Sequence, residues 1–102
     1  MTQIIKMETN EIEVPKDMLP DAPKAKSVRG YALSRHTIGV SFKPVEEWAR
    51  RALWEGEVKV EETADSIIFL LPKVLMSFYN ITQDSITVSA SPKTNTIQID
   101  IE

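Results

Sequence analysis

Residues 11–16 are Glu-Ile-Glu-Val-Pro-Lys, and residues 66–73 are Ser-Ile-Ile-Phe-Leu-Leu-Pro-Lys. Each stretch contains a run of extended character that ends in an apolar residue and is followed by Pro-Lys. Each is followed by two alternating apolar–polar runs, which begin at Val28 and Ile38 in one case and at Ile86 and Ile97 in the other. The same landmarks in the same order at near-equal spacing predict a duplicated unit of about 45 residues.

The repeated pattern predicts an α+β fold made of two similar units. Each unit consists of a β-hairpin, a turn or short helix, and a second β-hairpin. A pseudo-twofold axis relates the two units. The predicted organisation is a single domain over 1–102, with a first motif at 1–43, a linker helix at 44–56 and a second motif at 57–102.

The linker helix is predicted from its ends and its periodicity. Pro44 is typical of a helix start and Gly56 of a helix stop. Its apolar side chains have the spacing of one amphipathic face, namely Val45, Trp48, Ala49, Ala52 and Leu53. A lone unit is too small to offset its chain entropy. We therefore expect both units to share one core, centred on residues 67–71, residues 97–101 and the helix face at Trp48.

Composition restricts the class of protein. The chain is 42% apolar and 26% charged, as in ordinary soluble globular domains. It has no cysteine, so it can form neither a disulfide nor a thiolate nucleophile. The longest uncharged apolar run, residues 67–71, is too short to span a membrane, and the first residues lack the layout of a secretory signal. We predict an intracellular protein that does not bind a membrane.

Side chains suited to catalysis are few. His36 is the only histidine, and it follows Arg35 at a predicted hairpin tip, which is typical of a solvated residue. No serine can be assigned a base and an orienting group. The acidic residues Glu61, Glu62 and Asp65 lack a metal-ligating pattern. We expect no enzymatic activity, no metal and no cofactor.

The segment from Leu70 to Val88 has the sequence Leu-Leu-Pro-Lys-Val-Leu-Met-Ser-Phe-Tyr-Asn-Ile-Thr-Gln-Asp-Ser-Ile-Thr-Val. It resembles the AbrB-like swapped-hairpin family, in which a strand ends in Pro-Lys and a short helix and turn lead into a returning hairpin. That family consists of dimeric transition-state regulators and antitoxins that grip duplex DNA with arginines on a strand face. The resemblance implies a DNA-binding regulator.

The chain as a whole, at 102 residues, resembles the small orphan proteins of the acidianus filamentous viruses, which infect thermoacidophilic archaea. This resemblance implies a viral accessory protein without enzyme chemistry. It would act in the host cytoplasm or in association with the virion.

The net charge of −3 is unevenly distributed. Residues 14–51 hold eight Lys and Arg against four Asp and Glu, which gives +4, whereas residues 52–102 hold three against eight, which gives −5. One interpretation is that the two diverged halves attract each other. The other is that a basic face binds nucleic acid or an acidic partner.

Two functional hypotheses follow from these patterns. The first is a protein–protein interaction module, a monomer or weak homodimer, that captures a peptide or strand in a groove between the two motifs, where an unpaired strand edge would accept it. Its expected contacts are the aromatic residues Trp54, Tyr79, Tyr31 and Phe42. The alternative is an AbrB-like DNA-binding regulator that uses Lys24, Lys26, Arg29, Arg35, Arg50 and Arg51.

Overall fold

A computed structural model describes residues 2–8, 10–79 and 85–101 as eight β-strands and two short α-helices. The strands are β1 (Thr2–Glu8), β2 (Glu11–Pro15), β3 (Ser27–Ala32), β4 (Thr37–Ser41), β5 (Trp54–Glu62), β6 (Ser66–Leu70), β7 (Ser85–Ser91) and β8 (Thr96–Asp100). The helices are α1 (Glu46–Arg51) and α2 (Lys73–Met76), and a 3-10 turn covers Lys16–Met18. All strand pairs are antiparallel, and the order β1-β2-β6-β5-β3-β4-β8-β7 closes into a barrel because β7 pairs with β1.

The predicted α+β class is wrong, because the sheet is a closed, all-antiparallel barrel and no amphipathic helix joins two hairpin units. The helix expected over 44–56 is reduced to α1, six residues long and without a buried residue. Ala52 already has an extended backbone, and the amide of Leu53 donates to the carbonyl of Ala32 at 2.7 Å. Trp54 then opens β5, which pairs with both β3 and β6. The segment is rich in helix-forming residues, but propensity contributes only a fraction of a kcal/mol per residue, and the hydrogen bonds of those two ladders outweigh it.

The predicted apolar face of that helix is not part of the core. Ala49 is exposed, and Leu53 is 61% exposed. Trp48 is half-buried, but it packs on the outer surface of the barrel, where its ring meets that of Tyr31 edge-on at a centroid distance of 5.7 Å. The predicted centre of the core at Trp48 is therefore wrong, because the core lies inside the barrel.

The core consists of the inward-facing residues of the strands, since side chains alternate between the two faces of a sheet. In β6, Ile67 and Phe69 are buried inside, whereas Ile68 and Leu70 face outward and are half-buried. An eight-stranded barrel is just wide enough for such side chains to fill it. Each half of the chain thus contributes one face of its strands to a single core.

The halves of the chain on either side of α1 have the same order of elements, which is hairpin, helical turn, hairpin. Their strand registers correspond as well. Ala32 pairs with Ile38 in the β3–β4 ladder, and Ala90 pairs with Ile97 in the β7–β8 ladder. Positions in the two halves can therefore be matched from their pairing, without reference to side-chain identity.

The helical turns after the two Pro-Lys pairs close the two ends of the barrel. Met18 follows Pro15 at the same distance in sequence as Leu75 follows Pro72, and both side chains are fully buried. Because β2 and β6 run antiparallel, these two turns lie at opposite ends. Each Pro-Lys therefore marks the point where the chain leaves the barrel wall and closes one end.

Candidate functional site

A cleft of about 340 Å³ opens at the end of the barrel where β4 finishes and the β7–β8 turn comes close to it. It is lined by Pro23, residues 41–45 and residues 93–96, and we call it the Phe42 cleft. Its walls come from the predicted first motif, the segment before α1 and the predicted second motif. The cleft therefore lies between the two halves of the chain.

The first wall of the Phe42 cleft forms where β4 can no longer continue. The hydroxyl of Ser41 donates to the carbonyl of Lys43 and accepts a hydrogen bond from the amide of Lys43, which turns the chain. Pro44 follows, and because it has no N–H it cannot extend the strand ladder. The local sequence thus directs residues 42–45 away from the sheet and leaves the side of the cleft open.

The second wall is the β7–β8 turn, which contains Asn95 at φ 52°. Asparagine adopts this left-handed conformation more readily than most residues. The carbonyl of Asn95 accepts a hydrogen bond from the amide of Phe42 at 3.3 Å, so the two walls are tied to each other. The side-chain Oδ1 of Asn95 is buried and has no hydrogen-bond partner among the described residues.

Apolar side chains contribute much of the surface of the cleft. The ring of Phe42 is half-buried and meets the core ring of Phe69 edge-on, with 6.2 Å between centroids. Pro23, Pro44 and Val45 add further apolar surface. An aromatic ring held by the core and only partly covered is suited to contact an apolar group of a ligand.

Two cations flank this apolar surface. Lys43 and Lys93 are exposed, and neither forms an ion pair with a carboxylate in the described part of the chain. The hydroxyl groups of Thr94 and Thr96 lie 2.9 Å apart on the same wall. An apolar floor between two exposed lysines and a pair of hydroxyl groups suits a ligand that has both an apolar side chain and negative charge.

Of the four aromatic residues predicted to contact a partner, Phe42 lines the cleft. Tyr31 is 0% exposed, and its hydroxyl accepts a hydrogen bond from the amide of Val45 at 3.1 Å. Tyr79 is 8% exposed, its hydroxyl donates to the carbonyl of Thr37 at 2.8 Å, and burial raises its pKa to about 12. Both tyrosines are thus held by the fold and offer little surface to a partner.

Trp54 is the fourth predicted contact, and it lies at the start of β5. It is half-buried against the core, and its ring covers Gly56, where an added Cβ would stand 2.3 Å from Cζ2 of the indole. β4 and β5 are both antiparallel to β3, so they run in the same direction. Trp54 begins β5 and Phe42 follows the end of β4, so the two residues lie at opposite ends of the barrel. The structure does not bring the four aromatic residues together.

Two of the predicted DNA-binding residues are engaged with carboxylates. Arg29 lies 3.0 Å from Glu55, and the hydrogen bond between them raises the pKa of the Arg29 guanidinium. Arg50 lies 3.9 Å from Glu46 on the exposed face of α1. These pairs reduce the positive charge that either arginine presents to a phosphate.

The other predicted DNA-binding residues are spread over the molecule. Lys24 and Lys26 precede β3, whereas Arg35 follows it, so they lie at opposite ends of the barrel. Arg51 is exposed at the last position of α1. The six basic residues predicted from the sequence therefore do not form one continuous surface.

Sequence reasoning missed Pro23, Lys43 and Lys93 as site residues. Each of the two lysines is next to a proline in the sequence, in Lys43-Pro44 and Pro92-Lys93. A lysine next to a proline is a weak signal of a binding site, because the proline marks the end of a strand but does not indicate which other strand end lies beside it. Only the β4–β8 pairing brings residues so distant in sequence to one cleft.

A second cavity of about 480 Å³ lies where β5 and β6 separate, beside Asn10, Leu71 and Pro72. Glu57 and Lys59 both line it, so their opposite charges offset each other. Among the described residues, no group of three or more His, Asp or Glu side chains is arranged to hold a metal ion. The Phe42 cleft is the stronger candidate, because it combines apolar surface with charge of one sign.

No family model, curated protein or solved structure matches this chain. None of the helices in the described part of the chain has the length and apolar character needed to cross a membrane. The geometry of the Phe42 cleft is therefore the basis on which a function can be proposed.

Proposed function

We propose that this protein is a non-enzymatic interaction module whose Phe42 cleft binds a short acidic segment of a partner protein. The observation that carries the proposal is the placement of a half-buried aromatic floor between Lys43 and Lys93, neither of which has an acidic partner among the described residues. Lysines beside an apolar cleft favour carboxylates through charge and direct them towards the apolar surface.

The dimensions of the cleft suit one side chain and its flanking backbone. Its volume of about 340 Å³ is near the lower end of the range of small-ligand pockets. An apolar side chain of the partner would rest on Phe42, and acidic neighbours would reach Lys43 and Lys93. Binding of this size is expected to be weak unless further contacts extend it.

The closed barrel changes the expected mode of binding. An open strand edge between the two halves would allow a peptide to add as a strand. Instead, β4 and β8 border the cleft and pair with each other, up to the pair formed by Ser41 and Thr96. The partner segment is therefore held by side chains and by the residues that follow β4 and precede β8.

The alternative of duplex DNA as the partner draws support from one observation. Lys24 and Lys26 are exposed in the loop that carries Pro23, so they lie at the same end of the barrel as the cleft lysines. Phosphate binding by such a group would be weakly selective for sequence and steeply dependent on salt. A labelled DNA duplex is therefore titrated alongside the peptides.

The test is fluorescence anisotropy with a labelled acidic peptide that carries a central aromatic residue, and with the same peptide after Asp and Glu are replaced by Lys. We expect saturable binding of the acidic peptide alone. Lys43→Gln and Lys93→Gln should each weaken it about two- to fivefold, as expected for partly exposed charge pairs. Lys73→Gln makes the same charge change at the other end of the barrel and should leave binding unchanged.

Two results would decide against the proposal. Equal loss of affinity in Lys43→Gln and Lys73→Gln would mean that net charge, not the cleft, attracts the peptide. Binding of duplex DNA with no binding of the acidic peptide would favour the nucleic-acid alternative. Following the resemblance noted in the sequence, we also propose that the partner is met in the cytoplasm of an archaeal host or in the virion.

A further inference from the structure

Ala22 and Tyr79 occupy corresponding positions in the two halves of the barrel. Each follows the helical turn that closes its end, and each donates its backbone amide to the residue three positions earlier. These hydrogen bonds join Ala22 to Leu19 at 3.2 Å and Tyr79 to Met76 at 3.1 Å. The two positions differ in their side chains, because one is a methyl group and the other is a phenol.

The surroundings of these two positions correspond as well. Beside Tyr79, the amide of Ile101 donates to the carbonyl of His36 at 2.7 Å. Beside Ala22, the amide of Phe42 donates to the carbonyl of Asn95 at 3.3 Å. Both hydrogen bonds fasten the end of one strand to the hairpin turn of its neighbour. The Phe42 cleft is thus the counterpart of the region that Tyr79 occupies at the other end.

At its own end, Tyr79 shows how such a region is filled. Its ring is buried, and its hydroxyl donates to the main-chain carbonyl of Thr37, the first residue of β4. The corresponding residue of the other half is Thr96, the first residue of β8, which lines the Phe42 cleft. Because Ala22 supplies no ring, the part of the cleft beside Thr96 is not filled from position 22.

We infer that the residue received by the Phe42 cleft is a tyrosine of the acidic partner segment, whose ring takes the place that Tyr79 takes at the other end and whose hydroxyl donates to the carbonyl of Thr96. This inference rests on the function proposed above and specifies its ligand. The Phe42 ring provides the aromatic contact, and Lys43 and Lys93 bind the acidic residues on either side of the tyrosine.

The first test compares three labelled acidic peptides that differ only in their central residue, which is Tyr, Phe or Leu. The peptide with Tyr should bind about fivefold more tightly than the peptide with Phe, which is the factor expected for one neutral hydrogen bond. The peptide with Leu should bind more weakly than both, since it lacks the aromatic contact. Equal affinity for the Tyr and Phe peptides would overturn the inference while leaving the acidic-segment proposal intact.

The second test fills the cleft from within. Ala22→Tyr places a phenol at the position that corresponds to Tyr79, and it should weaken binding of the Tyr peptide at least tenfold without lowering the melting temperature. Ala22→Ser is the matched control, because it adds a hydroxyl without a ring and should bind the peptide as the unmodified protein does. Unchanged binding by a folded Ala22→Tyr variant would overturn the inference.

The two proposals fail in different ways. If none of the three peptides binds, both the acidic-segment proposal and the tyrosine inference are wrong. If Ala22→Tyr does not fold, the peptide comparison on the unmodified protein still decides the inference, because it requires no substitution in the chain.

Discussion

The indole of Trp48 lies against Gly39 so closely that a Cβ added at Gly39 would stand 2.8 Å from both Cε3 and Cζ3 of the ring. The same Cβ would stand 2.9 Å from Cδ1 of Leu33. Side-chain carbons do not approach each other this closely without displacement. Glycine in β4 is therefore what allows α1 to dock on the outer face of the barrel.

Gly39→Ala should lower the free energy of unfolding by about 1–3 kcal/mol, because the added methyl overpacks this contact. Urea denaturation measures the change, and tryptophan fluorescence reports whether the ring of Trp48 moves. In a Trp48→Ala background the same substitution should cost less, since only Leu33 then opposes the methyl. An equal cost in both backgrounds would mean that the indole does not rest on Gly39.

Tyr31→Phe should destabilise the protein by about 1 kcal/mol, because the amide of Val45 loses its acceptor. Val45 precedes α1 and accepts the amide of Ala49 at 2.9 Å, so the start of the helix should become less protected. Amide hydrogen exchange of Val45 is the direct measurement. If that amide were equally protected in Tyr31→Phe, the Tyr31 hydroxyl would not be its acceptor.

The raised pKa of Tyr79 predicts a pH dependence of stability in the alkaline range. Burial in the folded state favours the neutral phenol. The contribution of the neutral Tyr79 side chain to stability is therefore fully present below the ordinary tyrosine pKa of 10.0 and is lost as the pH rises towards about 12. Denaturation at a series of pH values should show this decline, and Tyr79→Phe should make it shallower. Ultraviolet titration should show one tyrosine that ionises near pH 12.

Asn95→Gly should raise stability by about 1 kcal/mol, because it suits the positive φ and removes a buried oxygen that has no partner in the described part of the chain. Asn95→Ala removes the same oxygen but places a Cβ in the left-handed region, so it should be about 1 kcal/mol less stable than the glycine variant. Thermal denaturation of the three proteins makes the comparison. A glycine variant less stable than the original protein would show that Oδ1 has a partner.

Local patterns in the sequence located most of the strands. The alternation of Ile97 and Ile99 with polar residues predicted β8, and both side chains are buried inside the barrel. The same reasoning failed at residues 44–56, where the periodicity of Trp48 and Ala52 indicated a long helix. Periodicity describes which face of a segment is apolar, whereas the ladders formed with β3 and β6 depend on distant residues that a local window does not contain.

For the candidate site, Phe42 was predicted from its residue type, but Lys43 and Lys93 were not. Aromatic residues are frequent contacts in interfaces, so type alone singles them out. A surface lysine becomes informative only when its neighbours are known. Residue type also singled out Tyr31 and Tyr79 as partner contacts, but both side chains are buried and stabilise the fold.

The sequence by itself determined the positions of the hairpins, the two Pro-Lys points where the chain leaves the sheet, and the absence of cysteine chemistry. These properties depend on residue identity and on spacing over a few positions. Tertiary structure decided that the strands close into a barrel, that α1 lies outside it, and that Phe42 and Lys93 share a cleft. Closure satisfies the backbone groups of strands far apart in sequence, and that long-range pairing is not expressed in any local pattern.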